Sequence, residues 1–316
     1  MVRTPDSVLV MPDPIDRNAI EAAADRIAGF VRLTPSIDLG NLLSGDWTLI
    51  LKLDNLQVTG SFKARGAFNV LLSARPQEVV AASGGNFGKA VAHAAERLNI
   101  PATIYVPASS PKEKTDAIAR YGADVRVIDG YYADALAASQ EYADANGNFV
   151  AHAYDQAEVM AGQGTVAHEI GWQVEGVSSI LVAVGGGGLI GGTASWFRGE
   201  VDVIGVESEL CPTLYAARAH GTPTEVEVGG IAASSLGARR LGEHPWTANQ
   251  WISSSVLVSD ASILDAQAWL WDQCRLWVEP ASAITIAALR DGHVQPSRGE
   301  VVVAVLSGAN LTRGDE

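Results

Sequence analysis

The chain has 316 residues, of which 47% are hydrophobic and 18% charged, and its formal net charge is -14 at pH 7. That excess of acid repels phosphate backbones and anionic headgroups, so nucleic acid and anionic membranes are excluded as main partners. The length suits two domains or one large α/β body, and no apolar run approaches the ~18 residues of a membrane-spanning helix.

Residues 1–14 have no apolar period and are expected to form an arm suited to packing on a partner subunit. Ile20, Ala23, Ala24 and Ile27 give a helical face within 15–30, which Leu33-Thr34-Pro35 ends, since the residue before proline avoids helix. An apolar strand at Leu49–Leu53 leads through a polar stretch to Lys63, in the first turn of a helix that continues past Phe68, Leu71 and Leu72. Strands at 79–82, 102–106 and 125–128 then alternate with helices at 90–98, 111–121 and 133–145, and residues 148–151 are extended. A helix at 156–172 precedes the apolar strand 180–184, the turn Gly185–Leu189 and a helix to Phe197. A strand at 201–206 ends at Glu207, and a helix covers 212–220. Residues 221–251 are rich in glycine, proline and polar side chains, and form an irregular segment with short helical pieces. The chain continues with a strand at 256–258, helices at 263–276 and 281–289, and the strand 301–306, which breaks into Ser307-Gly308-Ala309-Asn310. Strands alternating with helices over short connections predict an α/β fold of parallel sheets covered by helices. Residues 78–150 form a compact smaller domain, inserted into a larger one built from 1–77 and 151–316. Cys211 and Cys274 lack metal-ligand spacing and are expected to be reduced, buried thiols. The N-terminus has no basic-then-apolar signal pattern, so a cytoplasmic location is expected.

A helix start carries partial positive charge and prefers acids, so Lys63 is out of place there. Either it is a solvated helix-end cation, or its lowered pKa makes it an amine nucleophile. Three strands end in polar, glycine-rich turns, the position where open parallel sheets bind small molecules. At Gly185-Gly186-Gly187-Gly188-Leu189, several backbone N–H groups and a helix N-terminus can converge on a phosphate. A purely conformational glycine turn is the plainer alternative. Glu207, about 20 residues on, leaves a dinucleotide site open on spacing alone. Ser83-Gly84-Gly85-Asn86 opens another helix and can hold a carboxylate, or can simply cap the helix through Ser83 or Asn86. A Schiff-base lysine, a phosphate cradle and a carboxylate cradle together suggest pyridoxal 5'-phosphate and an amino-acid substrate.

Lys52-x-Asp54-x-x-Gln57-x-Thr59-Gly60-Ser61-Phe62-Lys63-x-Arg65-Gly66-Ala67 resembles the lysine signature of the fold-type II, pyridoxal-phosphate-dependent serine/threonine dehydratases. Ser83 to Gly88, Gly185 to Leu189, Val278-Glu279-Pro280-Ala281 and Leu306 to Asn310 resemble the other blocks of that family, in the same order. The resemblance spans roughly residues 15 to 312. It implies a two-domain fold like that of the tryptophan synthase β chain, and a homodimer. It also implies that Lys63 links to the cofactor and takes the substrate's α-proton, that Phe62 packs beside the ring, and that Asn86 bonds the ring 3'-oxygen. Gly185, Gly186, Gly187, Gly188 and Leu189 would hold the phosphate, Ser307 would face the ring nitrogen, and Ser83, Gly84 and Asn86 would receive the substrate carboxylate. The implied activity is dehydration of L-threonine, L-serine or a bulkier 3-hydroxy amino acid to a 2-oxo acid and ammonia.

Several positions depart from the family pattern. Phe87 stands where histidine is usual, either as a tolerated ring swap or as part of a more apolar pocket. Ser234 replaces an aspartate near the substrate side, so a 3-aryl serine such as phenylserine enters the candidate list. Gly84 replaces the second acid/base serine of the racemases, which argues against efficient racemisation. Glu207 matches the first ligand of a cation site in some relatives, but Thr213 replaces an acid there, so no metal is expected. No C-terminal regulatory domain is expected after Glu316. A β-replacement synthase of the cysteine synthase type, or a non-catalytic ligand-binding α/β protein, is the alternative.

Overall fold

The computed structural model describes residues 12–43 and 45–311, so the expected N-terminal arm lies outside the described residues as far as residue 11. Helix α1 (Arg17–Ile27) starts where the Asp16 carboxylate accepts the Ala19 N–H at 2.8 Å, and buries Ile20, Ala23 and Ile27. β1 (Ser36–Asp38) was not expected, because three residues are too few to show a period. It pairs antiparallel with β2 (Thr48–Leu53), and two short 3-10 turns then lead to α2 (Lys63–Ala74).

The next run is β3 (Val79–Ala82), α3 (Asn86–Leu98), β4 (Ala102–Pro107), α4 (Lys112–Ala119), β5 (Asp124–Ile128), α5 (Tyr132–Asn146) and β6 (Phe149–Val150). These strands form a parallel sheet in the order β5-β4-β3-β6. There follow α6 (Ala157–Gln173), β7 (Val177–Ala183), α7 (Gly188–Phe197), β8 (Asp202–Ser208) and α8 (Thr213–His220). The chain ends with α9 (Ala233–Leu236), α10 (Glu243–Thr247), β9 (Ile252–Val258), α11 (Asp260–Cys274), α12 (Pro280–Arg290) and β10 (Val301–Leu306). The second sheet runs β1-β2-β10-β7-β8-β9, parallel throughout except for β1. β9 begins four residues earlier than expected, since Ser253, Ser254 and Ser255 hide a strand from an apolar pattern. Of the two thiols expected to be buried, Cys211 is, whereas Cys274, at the end of α11, is only partly so.

Alternation along β2 explains why the large sheet is covered on both faces. Leu49, Leu51 and Leu53 pack in the cluster of α11 and α12, and Ile50 packs on the other face with α6 and α7. Such double coverage is what near-continuous apolar parallel strands require. The small sheet shares its core with α2: Ala64, Ala67, Phe68 and Leu71 lie in one cluster with Val79, Ala90 and Ile104. Packing is therefore continuous across the expected boundary between 77 and 78, and α2 bridges the two sheets by also contacting α6.

Candidate active site

The turns after β3, β7 and β10 meet the start of α2 around a cavity of about 470 Å³. Lys63, Phe62, Ser83, Gly84, Asn86, Phe87, the run Gly185 to Leu189, Ser234 and Ser307 all line it. The residues that the family resemblance assigns to the cofactor and the substrate are thus brought together, whereas Glu207 and Thr213 do not line the cavity.

Lys63 is the first residue of α2 and has no acid partner among the described residues; its Nζ donates to the Ala153 carbonyl at 2.9 Å. The amine lies 4.9 Å from the Phe62 ring centre and 5.8 Å from that of Phe87. Burial without a compensating carboxylate pushes its pKa down to about 8. Its helix is anchored from behind. Two residues on, the fully buried Arg65 bonds Asp54 at 2.7 and 2.8 Å and Glu169 at 2.6 Å. Lys52, also buried, completes this network on Glu169. Truncating one partner of such a network typically costs about 3–5 kcal/mol, so the backbone that carries Lys63 is firmly held.

Among the described residues, the backbone N–H groups of Gly185 to Leu189 donate to no protein acceptor, and they sit at the N-terminus of α7. Side chains are excluded there by packing. A Cβ on Gly186 would lie 2.2 Å from the Tyr154 ring, one on Gly185 2.9 Å from the Leu236 backbone, and one on Gly187 2.5 Å from Leu241. Gly187 also has φ +92. Thr213 holds the Gly185 carbonyl, and the Gly242 N–H holds that of Gly186 at 3.1 Å. Behind Thr213, the buried Glu207 accepts from Leu214 N–H at 2.7 Å, Tyr215 N–H at 2.8 Å and Ser255 at 2.6 Å. Burial pushes this carboxyl up to about 7 against the pull of those donors.

The turn after β3 is a second set of donors. The N–H groups of Gly84, Asn86 and Phe87 have no protein acceptor among the described residues. Neither Ser83 nor Asn86 caps α3, whose N-cap is Gly85 without a side-chain bond, so the plain capping alternative does not hold. A Cβ on Gly84 would meet Ser110 Oγ at 2.2 Å. Phe87 is buried in the core of the small sheet. Ser307 Oγ lies 3.2 Å from Ser282 Oγ, and Ser282 in turn donates to the Gly308 carbonyl at 2.7 Å.

Some wall residues were not singled out from sequence. Glu279, 4% exposed, accepts from Asn86 Nδ2 at 3.0 Å, from Ser235 Oγ and from Asn310 N–H at 2.7 Å. Its position before Pro280, at the start of α12, was a signal: an acid there faces a helix N-terminus. Tyr132, Tyr154, Ser109, Ser110 and Lys114 form the outer wall. They reach the cavity from the β4–α4 loop, α4, α5 and the segment before α6, with no motif to mark them.

Free N–H donors in a glycine cradle that excludes side chains, facing an unpaired lysine and a neutral hydroxyl, fit pyridoxal 5'-phosphate. A fold-type II pyridoxal-phosphate enzyme is the class that this fold and site define. The family model "Pyridoxal-phosphate dependent enzyme" matches residues 27–308. The L-threonine ammonia-lyase of Geobacter sulfurreducens is 34% identical over 302 residues, covering 92% of this chain and 75% of that protein. Maize serine racemase superimposes with a TM-score of 0.89 at 29% identity, over 95% of this chain and 94% of that one. The processed form of threonine deaminase isoform 2 from Solanum lycopersicum gives 0.85 at 26% identity, over 100% of this chain and 96% of that one. The chain belongs to the pyridoxal-phosphate-dependent enzymes and, within them, to the serine/threonine dehydratase family of lyases; its cofactor is pyridoxal 5'-phosphate. Among the described residues no helix is long and apolar enough to cross a membrane.

Proposed function

We propose that the protein dehydrates a small 3-hydroxy α-amino acid of the L-threonine or L-serine class, giving a 2-oxo acid and ammonia. The observation that carries this is the convergence of Lys63 with the two glycine turns in one cavity, and the 34% identity to a protein named L-threonine ammonia-lyase agrees with it. When bound, pyridoxal phosphate supplies the aldehyde that takes the substrate amine and the ring that delocalises the electrons of the broken Cα–H bond.

The protein's own groups do the rest. The N–H groups of Gly185 to Leu189 hold the phosphate. Those of Gly84, Asn86 and Phe87, with the Ser83 hydroxyl, hold the substrate carboxylate and orient Cα–H. Lys63, with its pKa lowered to about 8 by burial, has an appreciable neutral fraction near pH 7 and accepts the α-proton at Nζ. Ser307 meets the ring nitrogen as a neutral group, so it does not enforce a protonated ring. That suits a β-elimination, in which the departing hydroxyl takes the electrons. Phe62 packs on the ring, and Ser234 with Tyr132 and Tyr154 bounds the substrate's β-substituent. The two tyrosines on that wall support including a 3-aryl serine among candidate substrates.

We also propose that the cytoplasmic enzyme is a homodimer whose smaller domain, 78–150, carries the carboxylate turn. Analytical ultracentrifugation checks the dimer. The activity is tested by incubating the loaded protein with L-threonine, L-serine and L-threo-phenylserine and following 2-oxo acid and ammonia. Formation from at least one supports the reading, and none from any of the three by a loaded protein refutes it. A parallel incubation of O-acetylserine with sulfide detects β-replacement.

A further inference from the structure

The side chain of Asn86 does not act alone: it is one member of a hydrogen-bonded row with a fixed direction. At one end, outside the cavity, Lys89 Nζ lies 2.6 Å from Asn310 Oδ1. Asn310 Nδ2 then lies 2.8 Å from Asn86 Oδ1 and 2.8 Å from the Thr59 carbonyl. At the far end, Asn86 Nδ2 stands 3.0 Å from each oxygen of Glu279.

An ammonium only donates, a carboxylate or carbonyl only accepts, and a primary amide does both. With a donor-only group at one end and acceptor-only groups at Thr59 and Glu279, the two amides have one orientation that satisfies every contact. Turning Asn310 over would set its NH2 against the ammonium and its oxygen against the Thr59 carbonyl. Turning Asn86 over would set its oxygen against the Glu279 carboxylate. Glu279 lines the cavity and Asn310 does not, so the nitrogen is the end of Asn86 on the cavity side. Thr59 is itself unusual, a β-branched residue with φ 65, and the Asn310 bond holds its carbonyl in place.

We propose that Lys89 is a positioning residue which, through Asn310 and against Glu279, fixes Asn86 so that it presents N–H, never C=O, to the bound cofactor and substrate. The inference rests on the cofactor reading above and extends it to two residues outside the cavity.

The test uses the full-length protein reconstituted with pyridoxal phosphate. Its readouts are the cofactor Kd, the absorption band near the visible edge, and the pH at which that band titrates. Lys89→Met leaves Asn310 Oδ1 without its ammonium donor, so that only the Thr59 and Asn86 contacts hold the amide, and is expected to weaken cofactor binding by about tenfold and to move the titration midpoint upward. Lys89→Arg, which keeps a donor-only cation, is expected to preserve both. Asn310→Ala should reproduce Lys89→Met, and the double variant should be no worse than either single one, because both changes break the same row. Thermal unfolding of each apoprotein checks that the variants are folded. A folded Lys89→Met with unchanged Kd and band, or single effects that add in the double variant, would overturn the proposal. If the unmodified protein never acquires the band, it is the cofactor reading that fails.

Discussion

The two glycine turns on either side of Lys63 follow the same plan, a strand breaking into glycine and a helix N-terminus, yet they are built differently. The turn after β7 is walled in: a side chain on Gly185, Gly186 or Gly187 would meet the Leu236 backbone, the Tyr154 ring or Leu241 within 3 Å. The turn after β3 is open. At Gly84 the nearest obstacle is the hydroxyl tip of Ser110, and at Gly85 it is a backbone oxygen at 3.6 Å, an ordinary contact. A group that stays bound through every turnover needs fixed donors, and a group that enters and leaves needs donors with room around them. On this view the walled turn serves the cofactor phosphate and the open one serves the substrate.

The largest effect should come from the residue between them. Lys63→Ala removes the buried amine between the two turns, and is expected to abolish turnover and the visible-edge band that borohydride bleaches in the unmodified protein. Persistence of either would break the comparison at its root. Next, Gly186→Ala places a methyl against the Tyr154 ring. Overpacking of this kind costs about 1–3 kcal/mol, so cofactor Kd measured by absorbance titration should rise roughly 10- to 100-fold. Adding Tyr154→Ala should recover part of the loss by reopening the space. A Gly186→Ala protein with unaltered Kd would show that the walled turn is not the phosphate site.

The amine sharpens the picture through pH. Burial lowers the Lys63 pKa to about 8, and only the neutral amine attacks an aldehyde. Cofactor uptake by the apoprotein should therefore accelerate by about tenfold per pH unit on approach to pH 8 from below, and level off above it, as stopped-flow absorbance would report. A rate that keeps rising to pH 10 would mean that Lys63 retains an ordinary lysine pKa.

Much of this arrangement was legible in the chain, for identifiable reasons. Glycine runs after apolar strands are local signals, so Ser83 to Asn86 and Gly185 to Leu189 could be placed beyond strand ends before any coordinates. Ser307 followed from the same rule at β10. Glu279 was harder. Its partners Asn86, Ser235 and Asn310 come from three other parts of the chain, and a lone acid before a proline looks like any helix start. Lys89 was passed over because a lysine three residues into an amphipathic helix is normally solvated, and only the approach of the turn after β10 gives it Asn310. The Tyr132, Ser110 and Lys114 wall has no shared motif, because it is assembled from β4–α4 and α5 by tertiary packing. β1 escaped for want of length.

The smallest expected effects lie in the open turn, and they divide it. Gly84→Ala brings a methyl against Ser110 Oγ, which can rotate away, and within 3.0 Å of Ser110 Cβ, which must yield slightly in the β4–α4 loop; neither lies at the phosphate turn, so the cofactor Kd should stay unchanged. The substrate KM should rise several-fold, by about 1 kcal/mol of lost carboxylate contact. Gly85→Ala meets only an ordinary contact, and its φ of -120 is open to any residue. Substitutions that touch nothing usually stay within about 0.5 kcal/mol, so KM, kcat and Kd should all remain within about twofold of the unmodified protein. The contrast between adjacent glycines is what matters. If Gly85→Ala disabled the enzyme as severely as Gly186→Ala, the turn after β3 would be as closely walled in solution as the turn after β7, and the division between a fixed cradle and an open one would fall.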